Sequence, residues 1–596
     1  MTNIQQIIKD SKFIPDIKSV LFEDCYAQLE GRYGLSKKGT FEDLGSLPNL
    51  KEGSEDYKTR KELEKFIKHK TESGTSSKES VVDFVREYAF TYVNRFVAFK
   101  MMEERKILRQ TISREYESNS FKFYLADHPE DEKIWKQGKV YEAYKHFIGW
   151  QCKELCNDNE IKVLFDPSNV ISRIFPLEKT LKRIFELINQ ERLSAIWKED
   201  EVIGWVYQYF IEDDKARVFD KIYTQKLKMD LTDIAPATQI FTPKWIVQFL
   251  VENTLGRLWI RMHPDTGLRD KMRYYVPNDN DKEKIEMKPV REITLLDPAC
   301  GTMHFGVMAF DLFYEMYLEE MTNAGKEGWP KESSCKDKNQ VPASIIENNL
   351  FGIDIDLRSV QLSSLALYLK AKVKSKEAKI EKYNLIHTDI PPFSDRAVDE
   401  FVSSLSSKYE LTKKLFKQVL PELSKAYYLG SLLKIEEMIH SFLEEQHKAL
   451  SKEFGKQGQQ HLFMKEEQHE LMFKKDTVWM EVKEELRKAL NDFIEEANGD
   501  IDTYVAQESK KGIYLIDALM NKYDVVVCNP PYSGRRNMNA VLKSNLTNLY
   551  PRKDGDLYTV FIDRCLDLTS KNNGFCGMVT IHTFMFTSSH GQIRRD

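Results

Sequence analysis

No stretch of the 596-residue chain holds the roughly 18 consecutive apolar residues of a membrane-spanning helix, so no span is expected. The first ten residues lack a basic segment followed by an apolar one, which removes a secretory leader and leaves a cytoplasmic protein as the expectation. The eight cysteines (Cys25, Cys152, Cys156, Cys300, Cys335, Cys528, Cys565, Cys576) contain no C-x-x-C pair. Cys152 and Cys156 are one helical turn apart, but no nearby Cys/His pair completes a ligand set, so no metal is expected. Nothing resembles Gly-Lys-Ser/Thr or the G-x-G-x-x-G of dinucleotide folds, which disfavours phosphate binding. An excess of positive charge is also missing. With 88 basic and 93 acidic residues the net charge is -5, so a nucleic-acid surface has to be a local basic patch.

What is present points to a folded, multi-domain chain. Hydrophobic residues make up 41% and aromatics 12%, enough for substantial cores, and the length implies roughly two to four domains. Residues 1–230 read as an N-terminal helical domain, because apolar residues recur at three- and four-residue spacing, most clearly over 81–104. Residues 51–78 read as a solvated helix followed by an exposed loop, and the aromatic run 205–210 as packing. From 231 to 394 short apolar strands (293–296, 350–355) alternate with amphipathic helices (307–317, 360–369), the pattern of a doubly wound parallel sheet. Residues 395–515 interrupt it as a charged helical insertion, including a helix over 480–496. The sheet resumes over 516–596 with a strand at 524–528. The fold class is therefore α/β, a Rossmann-like doubly wound sheet with a large N-terminal helical domain and a helical insertion.

The sharpest signal is Asn529-Pro530-Pro531-Tyr532, directly after the strand at 524–528. An exocyclic amino nitrogen is a poor nucleophile because its lone pair is delocalised into the ring. Two acceptors that take both of its N–H groups favour a pyramidal nitrogen with the lone pair exposed. The side-chain oxygen of Asn529 and the carbonyl of Pro530 are such acceptors, Pro530 and Pro531 stiffen the backbone that aims them, and Tyr532 offers a face for an extruded base. Asn-Pro also marks ordinary turns, and the position after a strand argues for the chemical role. A second motif, Asp297-Pro298-Ala299-Cys300-Gly301, follows the strand at 293–296. Its glycine permits close approach of backbone to a cofactor, and Asp297 is placed to hold the ammonium group of a methionine moiety, while His304 reads as structural. Asp354, in Gly352-Ile353-Asp354-Ile355-Asp356, is placed to accept ribose hydroxyls, although it lies 57 positions after Asp297 rather than the roughly 20 of a simple βαβ unit. Asp389, before Ile390-Pro391-Pro392, is suited to accept from an adenine amino group.

These motifs in this order resemble the gamma-class amino methyltransferases of restriction-modification systems. The segment from Gln239 to Val247, with Thr242 and Pro243, looks like the one that closes over the cofactor's methionine end in that class. The run at 205–209, the stretch 238–259 and the insertion after Asp389 are similar, more narrowly, to the adenine-specific methyltransferases of BREX phage-defence systems. The resemblance implies S-adenosyl-L-methionine as cofactor, N6 of adenine in double-stranded DNA as acceptor with the base flipped out, and other proteins of the defence system as partners. It also implies that Asn529, Pro530, Pro531 and Tyr532 are catalytic. Thr242, Pro243, Asp297, Pro298, Ala299, Cys300, Gly301, Asp354 and Asp389 would bind the cofactor.

Two departures shape the expectations. Met303 stands where many relatives have a second glycine, so its side chain is expected beside the cofactor. The chain stops at Asp596, before the family's target-recognition domain, and residues 588–596 read as the beginning of a further helix, as in a truncated gene. Two other readings remain open at this stage, and a third, a fused nuclease, is rejected. Protein glutamine N5 methylation uses the same Asn-Pro-Pro-Tyr logic, and a non-catalytic DNA-binding or assembly subunit would fit the departures. The Glu104-Arg105-Lys106 spacing of a metal-dependent nuclease lacks a Pro-Asp strand before it.

Overall fold

The computed structural model describes residues 4–72, 75–156, 161–390, 410–442, 444–445 and 511–595, with 399, 402–403 and 488. The helix expected over 480–496, apart from residue 488, together with Pro391 and Pro392, lies outside the described residues. The chain forms two compact units, one of Met1–Lys215, Ser333–Glu347 and Gln361–Tyr383, the other of Ala216–Glu332, Asn348–Val360 and Asn384–Asp596.

The first unit is helical and built around Ser77–Glu104. This helix starts at a capping box: the Ser76 hydroxyl accepts from the Glu79 N–H, and the Glu79 carboxylate accepts from the Ser76 N–H. Its second half is buried all round, so its polar side chains need partners inside the protein. Arg95 donates to the Leu164 carbonyl at 2.6 Å, and one Glu103 oxygen accepts the N–H groups of Thr111, Ile112 and Ser113 at 3.2, 3.0 and 3.2 Å. The neighbouring helix Phe13–Gly31 carries buried Asp24, which accepts from Tyr88, Gln28, Thr180 and the Leu177 N–H. Trp205, Tyr207 and Phe210 are buried in helix Val202–Phe210, so the aromatic run is packing. Glu104 ends its helix in a pair with Lys100 at 3.0 Å, as a helix-face ion pair.

The second unit holds a five-stranded parallel sheet: β1 (Leu295–Asp297), β2 (Leu350–Asp354), β3 (Asn384–His387), β4 (Val525–Cys528) and β5 (Phe575–Met578), in the order β3-β2-β1-β4-β5. Every ladder is parallel, with Leu295 opposite both Leu350 and Val525. The central strands β1 and β4 are buried throughout, which explains their unbroken apolar sequence. Two locks set the register at their amino ends. Asp524 accepts from the Thr294 N–H at 3.0 Å, and fully buried Asn349 donates to the carbonyls of Val290 and Ile293, both at 2.7 Å, while accepting from Tyr317. β1 therefore begins two residues later than the sequence pattern predicts.

Helix Leu557–Leu568 lies against β4 and presents Arg564 to the core. The guanidinium is fully buried and pairs with Glu436 through both of its terminal nitrogens. It also donates to the carbonyls of Ser431 and Leu433 at 2.7 and 2.9 Å. Residues 588–590 form one short helical turn followed by further turns, instead of the α-helix expected there, because Arg594 folds back onto the carbonyls of Phe584 and Thr587.

Removing one member of a buried pair strands the other charge. Arg564→Met is expected to lower unfolding free energy by about 3–5 kcal/mol in urea denaturation, and the double change Arg564→Met with Glu436→Leu to cost clearly less.

Candidate active site

The strand order places β1 between β2 and β4, so the chain turns to opposite sides of β1 and leaves a crevice at the carboxyl ends of β1 and β4. β1 ends on Asp297, β2 ends on Asp354, and β4 is followed at once by Asn529. All three line one cleft. Pro530 and Pro531 end β4 because neither has an N–H to continue the ladder.

The predicted residues distribute as follows. Thr242, Asp297, Pro298, Ala299, Cys300, Gly301, Asp354, Asn529 and Pro531 line the cleft. Pro530 is buried and Tyr532 half-buried, next to lining residues Asn529 and Pro531 in the chain. Pro243 is exposed at the start of helix Lys244–Val251, and Asp389 is exposed beyond the end of β3; neither lines the cleft. Asn529 is held at both ends of its amide: its nitrogen donates to the Thr242 hydroxyl at 2.9 Å, and its oxygen accepts from the Tyr532 hydroxyl at 2.9 Å. The Tyr532 hydroxyl also lies 2.8 Å from the Val579 carbonyl, so its one proton is shared between the Asn529 oxygen and the chain just after β5. An amide oxygen has two lone pairs, so one acceptor position on Asn529 is left for a ligand.

The loop after β1 is folded tightly onto β2. The Cys300 N–H donates to the Ile353 carbonyl at 3.0 Å, and the Gly301 N–H donates to the Asp354 carboxylate at 2.8 Å. Gly301 has φ 52° and Met303 φ 60°, so the loop requires two left-handed residues in close succession. The Met303 side chain does not enter the cleft, contrary to the expectation from sequence. It is fully buried, and an added Cβ at Gly306 or Gly352 would lie 2.4 Å from its Cε or 3.0 Å from its Sδ. The two glycines make the space that accepts the methionine on the far side of the loop.

Burial dominates the electrostatics of the cleft. Desolvation pushes the Asp297 carboxyl up to about 8, opposed by the Ala299 N–H and assisted by the charge of Asp354. Desolvation likewise pushes Asp354 up to about 7, opposed by the N–H groups of Asp356, Gly301 and Ile355 and assisted by the Asp356 charge. Without a ligand the pair therefore retains protons near neutrality, and a cation or hydroxyl donor bound beside it favours the ionised form.

Sequence reasoning missed one wall of the cleft. Tyr428, Leu429, Gly430, Ser431 and Leu432 line it, although they fall within the stretch read as a charged insertion. The Ser431 hydroxyl donates to the Pro298 carbonyl at 2.6 Å, and Gly430, at φ 56°, fits where a Cβ would lie 2.7 Å from Ile355. The signal available was the short apolar run Tyr427-Tyr428-Leu429-Gly430-Ser431-Leu432-Leu433 within charged surroundings. His304 stacks on Phe241 at 4.4 Å, a packing role at the edge of the cleft.

Two measurements follow from this geometry. Because the folded protein holds protons on Asp297 and Asp354 that the unfolded chain releases near pH 4, stability contributed by these groups is present below about pH 4. It is lost as pH rises through about 7 to 8. Asp297→Asn is expected to flatten that decline in thermal melts from pH 5 to about 8.5, and an unchanged slope would contradict the assignment. Met303→Ala is expected to cost about 2–5 kcal/mol in stability while leaving ligand affinity within a few-fold, since its side chain packs away from the cleft.

Comparison with known proteins bears on this cleft. Residues 348–595 match the Eco57I restriction-modification methylase family. The chain is 26% identical over 650 residues to the adenine-specific methyltransferase BrxX of Escherichia coli O9:H4 (strain HS), covering 98% of this chain and 47% of that protein. It is 26% identical over 622 residues to the adenine-specific methyltransferase PglX of Lacticaseibacillus casei (strain Zhang), covering 96% and 46%. It is 22% identical over 321 residues to a putative type II restriction enzyme and methyltransferase of Methanocaldococcus jannaschii, covering 48% and 25%. The chain spans about half the length of the first two relatives. The chain is thus similar over nearly its whole length to the adenine-specific methyltransferases BrxX and PglX, and the segment that matches the Eco57I methylase family includes β2, β3, β4 and β5 but not β1.

Proposed function

We propose that this chain transfers a methyl group from S-adenosyl-L-methionine to N6 of adenine in double-stranded DNA, within a bacterial phage-defence or restriction-modification-like system. The observation that carries the reading is the oriented Asn529 amide at the end of β4, in the same cleft as buried Asp297 ending β1 and half-buried Asp354 ending β2. The printed names of the relatives support adenine as the acceptor. Other proteins of a BREX system are the partners the reading implies.

The cleft residues fit such a cofactor. Asp297 is a buried carboxyl whose ionised form needs a cation beside it, which suits the ammonium of the methionine moiety. Asp354 already takes two backbone N–H groups and retains acceptor capacity for ribose hydroxyls. Phe241, Phe305, Ile355 and Leu432 provide apolar walls for an adenine ring. When bound, the cofactor supplies an electrophilic methyl group.

The chain's residues handle the acceptor. The target base turns out of the stack, and the ring of Tyr532, tied to Val579, gives it a fixed face. The free lone pair of the Asn529 oxygen accepts one amino N–H and the Pro530 carbonyl the other, so the nitrogen lone pair is exposed toward the methyl group. Thr242 keeps the amide oxygen, rather than the amide nitrogen, turned to the base, because its hydroxyl accepts from the Asn529 nitrogen. Holding the two reacting atoms in line supplies most of the rate.

The test is transfer of label from S-adenosyl-L-methionine to genomic DNA of mixed sequence, with the product nucleoside identified. The chain is expected to produce N6-methyladenine, and Asn529→Ala to lose about 10²–10³-fold or more in rate with cofactor binding retained. Label confined to protein acceptors would replace this reading with amide methylation.

A further inference from the structure

A short segment of the second unit, residues 223–229, is held against the loop that follows Tyr532. The Met229 N–H donates to the Asn537 carbonyl at 2.9 Å, the Ser533 hydroxyl lies 3.9 Å from the Met229 sulfur, and the Lys228 ammonium donates to the Arg536 carbonyl. The loop itself is pinned from its other side: Ser533 N–H donates to Asp556 at 3.0 Å and Arg535 N–H to the Gly555 carbonyl at 3.1 Å. Five residues beyond Met229, Ile234 and Ala235 begin the wall of the cleft. This clasp therefore stands beside the mouth of the site.

Its composition is unusual for a solvated turn. Lys226, Lys228 and Arg536 are exposed, and among the described residues no acid pairs with any of the three. The acids nearby are already engaged: Asp230 and Asp233 by Lys221, and Asp554 by Arg535. Between and before the lysines, Leu227 is 52% and Tyr223 60% exposed, an interleaving of basic and apolar side chains that suits sugar and phosphate together. Lys226 holds φ 58°, a conformation disfavoured for a residue with a Cβ, so the turn keeps strain that water alone would not require.

From these juxtapositions we infer that the clasp of residues 226–228 and 536 is a DNA-backbone contact, in which Lys226, Lys228 and Arg536 hold phosphates flanking the extruded nucleotide. The inference rests on DNA being the acceptor. Each of the three cations releases a counterion on binding, and the contact carries no base sequence, so it acts equally on every DNA site. It supplies locally the positive charge that a chain of net charge -5 lacks globally.

The experiment measures affinity of the full chain for labelled double-stranded DNA of mixed sequence as salt rises from about 50 to 200 mM. The comparison protein carries Lys226→Gln, Lys228→Gln and Arg536→Gln together. The expected result is a log–log salt slope shallower by about 2.7, roughly 0.9 per lost phosphate contact, with unchanged cofactor affinity. If the triple variant fails to fold, the single Arg536→Gln, at an exposed residue whose side chain makes no ion pair among the described residues, is expected to flatten the slope by about 0.9. An unchanged slope, or a wild-type chain that binds no DNA, overturns the inference. Equal binding of polyglutamate, lost in the same variant, assigns the face to an acidic protein and overturns it as well. Methyl transfer measured on the same samples separates the two readings: DNA binding through these cations without transfer rejects the methylation reading and keeps the clasp, and transfer with an unchanged slope does the reverse.

Discussion

The cleft depends on one hydrogen bond, from the Gly301 N–H to the Asp354 carboxylate at 2.8 Å, which closes the loop after β1 onto the end of β2. A carboxylate at a parallel-sheet end is costly to bury unless backbone donors surround it, and a loop that aims its N–H groups backward needs left-handed residues. Both requirements are met in the same few residues. Gly301 turns the donor toward Asp354, and Met303 completes the turn into helix His304–Asn323. The acids remain partly protonated without a ligand because the few backbone N–H groups around them, one at Asp297, do not replace bulk water. An incompletely compensated pair of acids is poor for stability and well matched to a cationic, hydroxyl-bearing ligand.

Met303 illustrates how a local sequence rule meets tertiary context. A glycine at this position would satisfy φ 60° without strain. The methionine accepts that strain and gains full burial, and the gain exists only because residues 306 and 352 are both glycine. Those glycines lie in a helix and a strand, where they look like weak points in isolation. The reason for them is the space they leave, which no single segment of sequence displays.

Most of the sheet was legible because its signals are local. An apolar run ending in Asp297, Asp354 or Asn529 states both a strand and its carboxyl end, and periodicity states the helices between. The boundaries moved by one or two residues where a distant side chain, Asn349 or Asp524, decides where pairing begins. The roles of Thr242 and Tyr532 were less legible. Sequence suggested a cofactor contact and a stacking face, whereas both hydroxyls also meet the Asn529 amide, across 287 residues in one case and three in the other.

The wall formed by residues 428–432 was hidden for a physical reason that also says how the site is held. Its chain neighbours are charged, so composition describes the flanks and not the five residues that matter. These residues are anchored by contacts to both halves of the sheet unit: Ser431 to the Pro298 carbonyl in the loop after β1, and the Ser431 and Leu433 carbonyls to Arg564 in the helix packed on β4. A serine donating one way and a carbonyl accepting the other makes residue 431 a bridge between the strands that carry Asp297 and Asn529. The Arg564–Glu436 pair then has a purpose beyond stability. A buried apolar pair would fill the same volume, but it would not aim two guanidinium N–H groups at the carbonyls that fix this wall.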